Sequence, residues 1–425
     1  METAAIALFL ATYILLLALP RFRAHVAVLA AGAFIILGIM PLNLVGGAVD
    51  WNVILMIAGT MGIVALFIES RMPARLADLI VEKTPSLRWA VVALSLFSGI
   101  ISAFVDNVAT VLIVAPVAIS MAKKQGISPV PSVIAVAIAS NLQGAATLVG
   151  DATSIMLGGH AGMDFLDFFF TKGRIGIFWI VQLGALAATA VLYWILRSVE
   201  GEVKPQGRTE VKDYFPSFLL VFMVALLILA SFIPNKPEIT NGLICVGLMV
   251  IGLVRGVIRG NSLKWVWENL MEIDFFTLFL LIGLFIVIGG LTQVGVIDKV
   301  ASFIVNAGRG NVFLIYTLVV WISVAVSGFV DNIPYVATML PVVGGVASLL
   351  GIEPYLLYFG LLIGATLGGN ITPIGASANI TGLGLLRKEG YEVKAGTFMR
   401  ISVPYTLAAV TTGYILNWLL WSGTL

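Results

Sequence analysis

The sequence is short of almost everything that water-soluble chemistry uses. Of its 425 residues only 11% are charged, two are histidine and one is cysteine. Soluble domains carry roughly a quarter charged residues. A chain with 60% hydrophobic residues and a mean hydropathy of +1.06 therefore cannot hide its apolar surface from water. The lone Cys245 excludes an internal disulfide framework and a thiolate zinc site, and reads as a small packing residue. No Gly-rich loop ends in Gly-Lys-Ser/Thr, which excludes a nucleotide-driven pump. No His-Glu-x-x-His, nucleophile–base set or paired Cys is present, so the chain is not read as an enzyme. A net charge of +2, with no basic patch, excludes a nucleic-acid partner.

What the chain has is long uncharged runs. Windows of about 20 nearly charge-free residues are transmembrane helices, and the strand alternation of a membrane barrel is absent. The fold class is an all-α polytopic membrane protein whose partner is the lipid bilayer. Apolar segments fall near 3–19, 25–42, 51–70, 89–122, 129–158, 175–197, 215–233, 240–259, 273–292, 312–350, 355–386 and 401–420. Two of these, 89–122 and 312–350, are too long for one span and are expected to enter and return as hairpins with arms of about 16 residues. Every other segment is expected to cross once. Nineteen of the 24 Lys and Arg residues then fall on one side; only Lys172, Arg174, Lys236, Lys299 and Arg309 fall on the other. The Lys/Arg-rich side is cytoplasmic, which puts both termini outside in a multi-pass protein of the cell (inner or plasma) membrane. Residues 1–19 lack a basic start, so they are expected to be a retained first helix. Tryptophans near segment ends, Trp418 and Trp421 among them, are expected in an interfacial belt.

The chain also repeats itself. "SAFVDNVATVLIVAPVA" (Ser102–Ala118) returns 225 residues later as "SGFVDNIPYVATMLPVV" (Ser327–Val343). The same offset carries Pro116 onto Pro341, Gly144 onto Gly369, Thr147 onto Thr372 and Gly150 onto Gly375. The charge count gives the copies opposite orientations, and inverted repeats with interrupted helices point to a transporter's midplane site. The expected division is 1–197, with hairpin 89–122 and broken helix 129–158; a cytoplasmic linker at 198–213; and 214–425, with hairpin 312–350 and broken helix 355–386.

Interrupted backbone at membrane depth survives only inside protein or beside water. Helices restarting after Asn107, Asn332, Gly150–Asp151 and Gly375 offer unpaired N–H groups and partly positive ends. Asp106, Asp151 and Asp331 are the carboxylates expected inside the membrane, where an ion costs at least ~2.5–3.5 kcal/mol unless paired. Their own segments contain no Lys, Arg or His, which leaves sodium, a proton or helix N-termini as partners. Each acid can also simply cap its helix, and one residue can do both. The neutral candidates are Asn107, Asn332, Thr147, Thr153, Ser154, Asn370, Thr372, Ser377 and Asn379, with Gly150 and Gly375 supplying backbone. Their hard oxygens suit sodium, for which Asn107, Asn332, Thr147 and Thr372 are the expected ligands. No cofactor beyond such an ion is expected. Asp50 and Asp274 read as caps and Glu69 as interfacial.

The stretches "FVDNIPYVATMLPV", "GGNITPIGASANITG" and "ATLVGDATSIMLGG" resemble the citrate transporter-like group of the ion transporter superfamily. That group includes arsenite permeases, sodium–proton antiporters, the melanosomal pigment-type permeases and the sodium–dicarboxylate symporters. The resemblance covers nearly the whole chain. It implies two inverted repeats, each with a re-entrant hairpin and an unwound helix, and a homodimer moving in an elevator-like way. The chain departs from relatives after its Gly-Asp, where Ala152, Thr153 and Ser154 replace a frequent Pro-Pro-Asn.

The function expected is secondary active transport of a small ionic substrate: an anion or oxyanion permease coupled to Na+ or H+. Buried acids equally suit a Na+/H+ antiporter, and an arsenite-type efflux permease stays open. A channel would want a continuous polar lining, whereas polar residues here concentrate at one depth.

Overall fold

With no water in the hydrocarbon core, each uncharged run must satisfy its backbone within itself, and the helix is the structure that does so. The computed structural model describes residues 1–201 and 207–424. Residues 202–206, which include Lys204 and the middle of the expected linker, lie outside the described residues. In chain order the helices are α1 (Glu2–Ala18), α2 (Arg23–Ile36), the single turn α3 (Val45–Ala48), α4 (Trp51–Glu69), α5 (Met72–Glu82), α6 (Leu87–Ser102), α7 (Asn107–Gln125), α8 (Val130–Gly144), α9 (Ala152–Ala161) and α10 (Ile177–Ile195). The second half continues with α11 (Phe215–Ala230), α12 (Thr240–Ile258), α13 (Leu263–Met271), α14 (Phe275–Gln293), α15 (Val296–Ala307), α16 (Val312–Ser327), α17 (Asn332–Leu350), α18 (Tyr355–Leu362), α19 (Ser377–Lys388) and α20 (Ala395–Trp421). A two-residue β-ladder, Phe170–Thr171 with Arg174–Ile175, is a small ornament before α10.

Helix boundaries recur at the offset of 225. Shifted by that amount, α6 coincides end for end with α16 and α7 with α17, while the starts of α8 and α9 fall on those of α18 and α19. The stops repeat too: Gly126 and Gly351 end α7 and α17 in left-handed conformation, φ 69° and 67°. Each half also borrows a helix from the other's part of the chain. α12 packs along α4, and α2 packs along α14. Missing side chains allow both approaches: Gly59 lies against the Cys245 backbone, and a Cβ on Gly283 would stand 2.6 Å from the Ala27 carbonyl carbon. Small residues at crossings are how helices pack closely where lipid gives no hydrophobic drive.

Six helices have the length and composition to cross a membrane, or up to eight if each sharply bent pair is one span. The bent pairs add a feature that hydropathy does not show: α1 and α2 meet at 113° across Pro20, and α15 meets α16 at 116°. Three helices lie where the sequence suggested only loops: α5, α13 and α15. Their apolar residues cover one face only, such as Val296, Ile297 and Ala301 of α15, so no charge-free run announces them. The descending hairpin arms α7 and α17 reach 19 residues each, longer than the expected 16, because each helix runs on past the apolar segment or up to its terminal glycine. Trp421 is 1% exposed, buried by the ends of α18 and α20 against Tyr355 and Phe359.

Candidate functional site

Four helix starts, those of α7, α9, α17 and α19, line one cavity of about 170 Å³. Asp106, Asn107, Asp151, Asn332 and Ser377 form its polar end, with Ile333 beside them; Met61, Val64, Ala65 and Ile68 of α4 form an apolar wall. Exposed Glu272 and Asp274, just before α14, stand at its edge. None of the lining residues is basic.

Local sequence explains why the acids are there. Ala103–Asp106 and Gly328–Asp331 break their helices, and each new helix leaves N–H groups to satisfy. Asp106 caps α7, with Oδ2 accepting from Val108 N (2.9 Å) and Ala109 N (3.2 Å). Its Oδ1 has no partner among the described residues. Asp151 caps α9: Oδ1 accepts from the Thr153 hydroxyl (2.7 Å) and Ser154 N (2.8 Å). Its Oδ2 is buried without a hydrogen bond. Asp331 caps α17 through Ile333 N (3.1 Å). Asp274 caps α14 and Asp50 caps α4, as their positions suggested, and Glu69 accepts from Trp265 Nε1 (2.9 Å).

One expectation fails at Asp331. Its Oδ2 lies 3.0 Å from Nη1 of Arg23, and it also accepts from the Ser377 hydroxyl (3.2 Å). The sequence places Arg23 among the cytoplasmic loop charges and offers the acids no basic side chain from their own segments. The partner comes from a point 308 residues away, where the bend between α1 and α2 turns the guanidinium inward. Only neighbours within a segment are visible in sequence, so the pairing was not.

A layer behind the cavity holds the breaks in place. Thr147 donates to the Ala103 carbonyl and Thr372 to the Gly328 carbonyl, fastening each broken helix to its hairpin tip. Ser154 donates to Gly144 O (3.0 Å), and Asn379, its counterpart at the 225-residue offset, donates to Gly369 O (3.2 Å). Gly150 and Gly375 are backbone contacts: a Cβ on Gly375 would stand 2.6 Å from Gly369 O and 2.7 Å from Ser327 O. A buried amide relay crosses between halves. Asn107 donates to Asn141 Oδ1 (3.0 Å), and Asn141 donates to Thr366 O (2.7 Å) and Asn370 Oδ1 (3.2 Å). The hydroxyls of Thr153 and Thr366 meet at 2.9 Å. The acceptor carbonyl of Thr366 lies in a π-helical turn, Ile363–Leu367, whose widened ladder frees such groups.

Of the candidate residues, Asp106, Asn107, Asp151, Asn332 and Ser377 reach the cavity wall. Asp331 stands one contact behind it. Thr147, Gly150, Thr153, Ser154, Asn370, Thr372, Gly375 and Asn379 form the supporting layer and do not line the cavity. Asn332 is 5% exposed and its side chain has no hydrogen bond among the described residues, which leaves its amide available to a ligand. Asn141, Thr366 and Arg23 were missed. The first two had a signal, since they are polar residues at matching positions of the repeat; Arg23 had none.

A citrate transporter family model matches residues 13–364. An uncharacterized transporter of Mycobacterium tuberculosis is 30% identical over 437 residues, covering 99% of this chain and 98% of that protein. The human P protein is 26% identical, covering 86% of this chain and 53% of its own length. Among solved structures, the Alcanivorax borkumensis YdaH transporter matches 88% of this chain and 87% of its own with a TM-score of 0.61 at 16% identity. The Neisseria gonorrhoeae antimetabolite efflux pump MtrF matches 92% of this chain and 85% of its own, also at 0.61 and with 15% identity.

Proposed function

The chain belongs to the citrate transporter family, and from that premise we propose that it carries a small anion or oxyanion by alternating access, together with Na+ or H+. The observation that carries this reading is the convergence of four helix starts on a cavity whose only charged groups are carboxylates. Helix N-termini attract anions. The carboxylates repel them: two like charges 4 Å apart cost about 4 kcal/mol at an effective dielectric of 20. An anion therefore enters only once a cation held between Asp106 and Asp151 offsets their repulsion; Asp106 Oδ1 and Asp151 Oδ2, which have no partner among the described residues, are the hard ligands such an ion needs. Binding order supplies the coupling, because the anion is not stable there without the cation.

The helix boundaries repeating at 225 and the Lys/Arg distribution support two inverted repeats, with both termini outside the cell membrane. On this reading 198–213 is the cytoplasmic connection, and the halves move as an elevator within a homodimer. Cation exchange is the second reading, favoured by the lack of any basic lining residue. Proteoliposomes with Na+ and H+ gradients imposed separately, given labelled di- and tricarboxylates, phosphate and sulfate, decide between them. An anion accumulating only under a gradient supports the proposal. Gradient-independent flux refutes coupling, and refutes a carrier if it is also very fast; cation exchange without any anion favours the second reading.

A further inference from the structure

Asp106 and Asp331 are the same residue of the repeat with the same local task, yet only one has a positive partner. Their shared cap is plain: Asp106 accepts from Val108 N and Asp331 from Ile333 N, donors that are themselves 225 residues apart. We infer that Arg23 is a tethered cation: its guanidinium takes, on the Asp331 side, the place that a transported cation takes at Asp106. The carrier then moves one coupling cation per cycle at these acids instead of two. This rests on the coupled-transport reading above.

Three observations support the assignment. Arginine stays charged under all conditions a protein meets, so the pair is neutral without help from solution. The guanidinium is held at two points, with Nε donating to Leu16 O (3.2 Å) and Nη1 to Asp331 Oδ2 (3.0 Å), and its side chain is 16% exposed. The other groups on the Asp331 carboxylate, Ser377 Oγ and Ile333 N, are neutral donors that suit an already compensated carboxylate. No other ion pair reaches Asp331, and none reaches Asp106 or Asp151, among the described residues. A second mobile cation at Asp331 would meet a fixed positive charge at contact distance.

The test is the order of transport in the driving cation, because a Hill coefficient is bounded by the number of coupled sites. Full-length protein in proteoliposomes is assayed for initial flux against Na+ at fixed pH and against pH at fixed Na+, with charge per anion taken from reversal potentials. First-order dependence is expected for the natural protein. In Arg23→Gln the order rises toward two and one more charge moves per anion; Arg23→Gln with Asp331→Asn returns both to the starting values. First-order dependence unchanged in Arg23→Gln overturns the assignment and leaves the pair structural. An unchanged order with a KM for the anion raised roughly tenfold also overturns it, making Arg23 an anion clamp. Should Arg23→Gln not fold, the double variant decides: retained first-order dependence supports the assignment, and lost cation dependence overturns it. Flux indifferent to both gradients in the natural protein would instead remove the coupled-transport premise.

Discussion

The two hairpin tips carry the same four-residue word, Phe-Val-Asp-Asn, and end in different electrostatic states. At the first tip, Asp106 faces a cavity with one oxygen free; at the second, Asp331 is tied to an arginine from the start of α2. Backbone needs are identical at both, so capping alone cannot account for the difference. The broken helices that follow the hairpins differ in the same sense. Asp151 caps α9, while its counterpart Ala376 leaves α19 without a side-chain cap. The helix boundaries recur at the 225-residue offset, and the charges are distributed unequally over them.

The comparison breaks most visibly at the ion pair. Asp331→Asn strands a guanidinium that is only partly open to solvent and is expected to cost about 3 kcal/mol, the low end for a broken buried pair, read as a fall in Tm in detergent. Removing both charges, with Arg23→Gln added, should recover most of that loss. Equal losses in the single and double variants would mean that the pair contributes nothing. Next comes Asp106→Asn, which leaves the helix capped but removes a charged ligand. Cation affinity in flux assays should fall by roughly 10–100-fold, corresponding to about 1.5–3 kcal/mol, with Tm nearly unchanged.

The supporting layer offers a finer test, since there the halves do match. Thr147→Val and Thr372→Val each leave a hairpin carbonyl without its donor and should destabilise by about 1–2 kcal/mol, equally within error. Unequal losses would show that the second tip depends on Arg23 instead of its threonine. The smallest effect belongs to an ion pair at the water boundary, Asp213 with Arg255 at 2.5 Å, ahead of α11. The hydrogen bond from Arg255 holds the Asp213 carboxyl below its ordinary value. Its contribution is therefore present above the usual carboxylate range and lost as pH falls through the lowered folded value. A change in Tm on acidification worth under about 1 kcal/mol should be absent in Asp213→Asn.

Much of this was legible in one dimension. Hydropathy marked the long apolar helices, and an offset of 225 identified the paired breaks, because helix interruption needs specific residues: Gly150 and Gly375 where backbone touches backbone, Thr147 and Thr372 where a carbonyl needs a donor. The acids at the tips stood out against uncharged surroundings. Less legible were α5 and α15, whose apolar residues occupy one face, and the 113° turn between α1 and α2, which depends on what each helix packs against. Asn141 and Thr366 are weak signals singly, a lone amide and a lone hydroxyl in a span, and stand out only when paired at the 225-residue offset.

The sequence by itself determined that the chain lives in a membrane, breaks its helices at positions 225 residues apart and carries polar residues at the breaks, since those properties follow from local burial and backbone satisfaction. Only the tertiary structure decided which acid keeps a vacant oxygen and which receives Arg23. Charge pairing acts over a few ångströms of space, and 308 positions of chain separate the two partners.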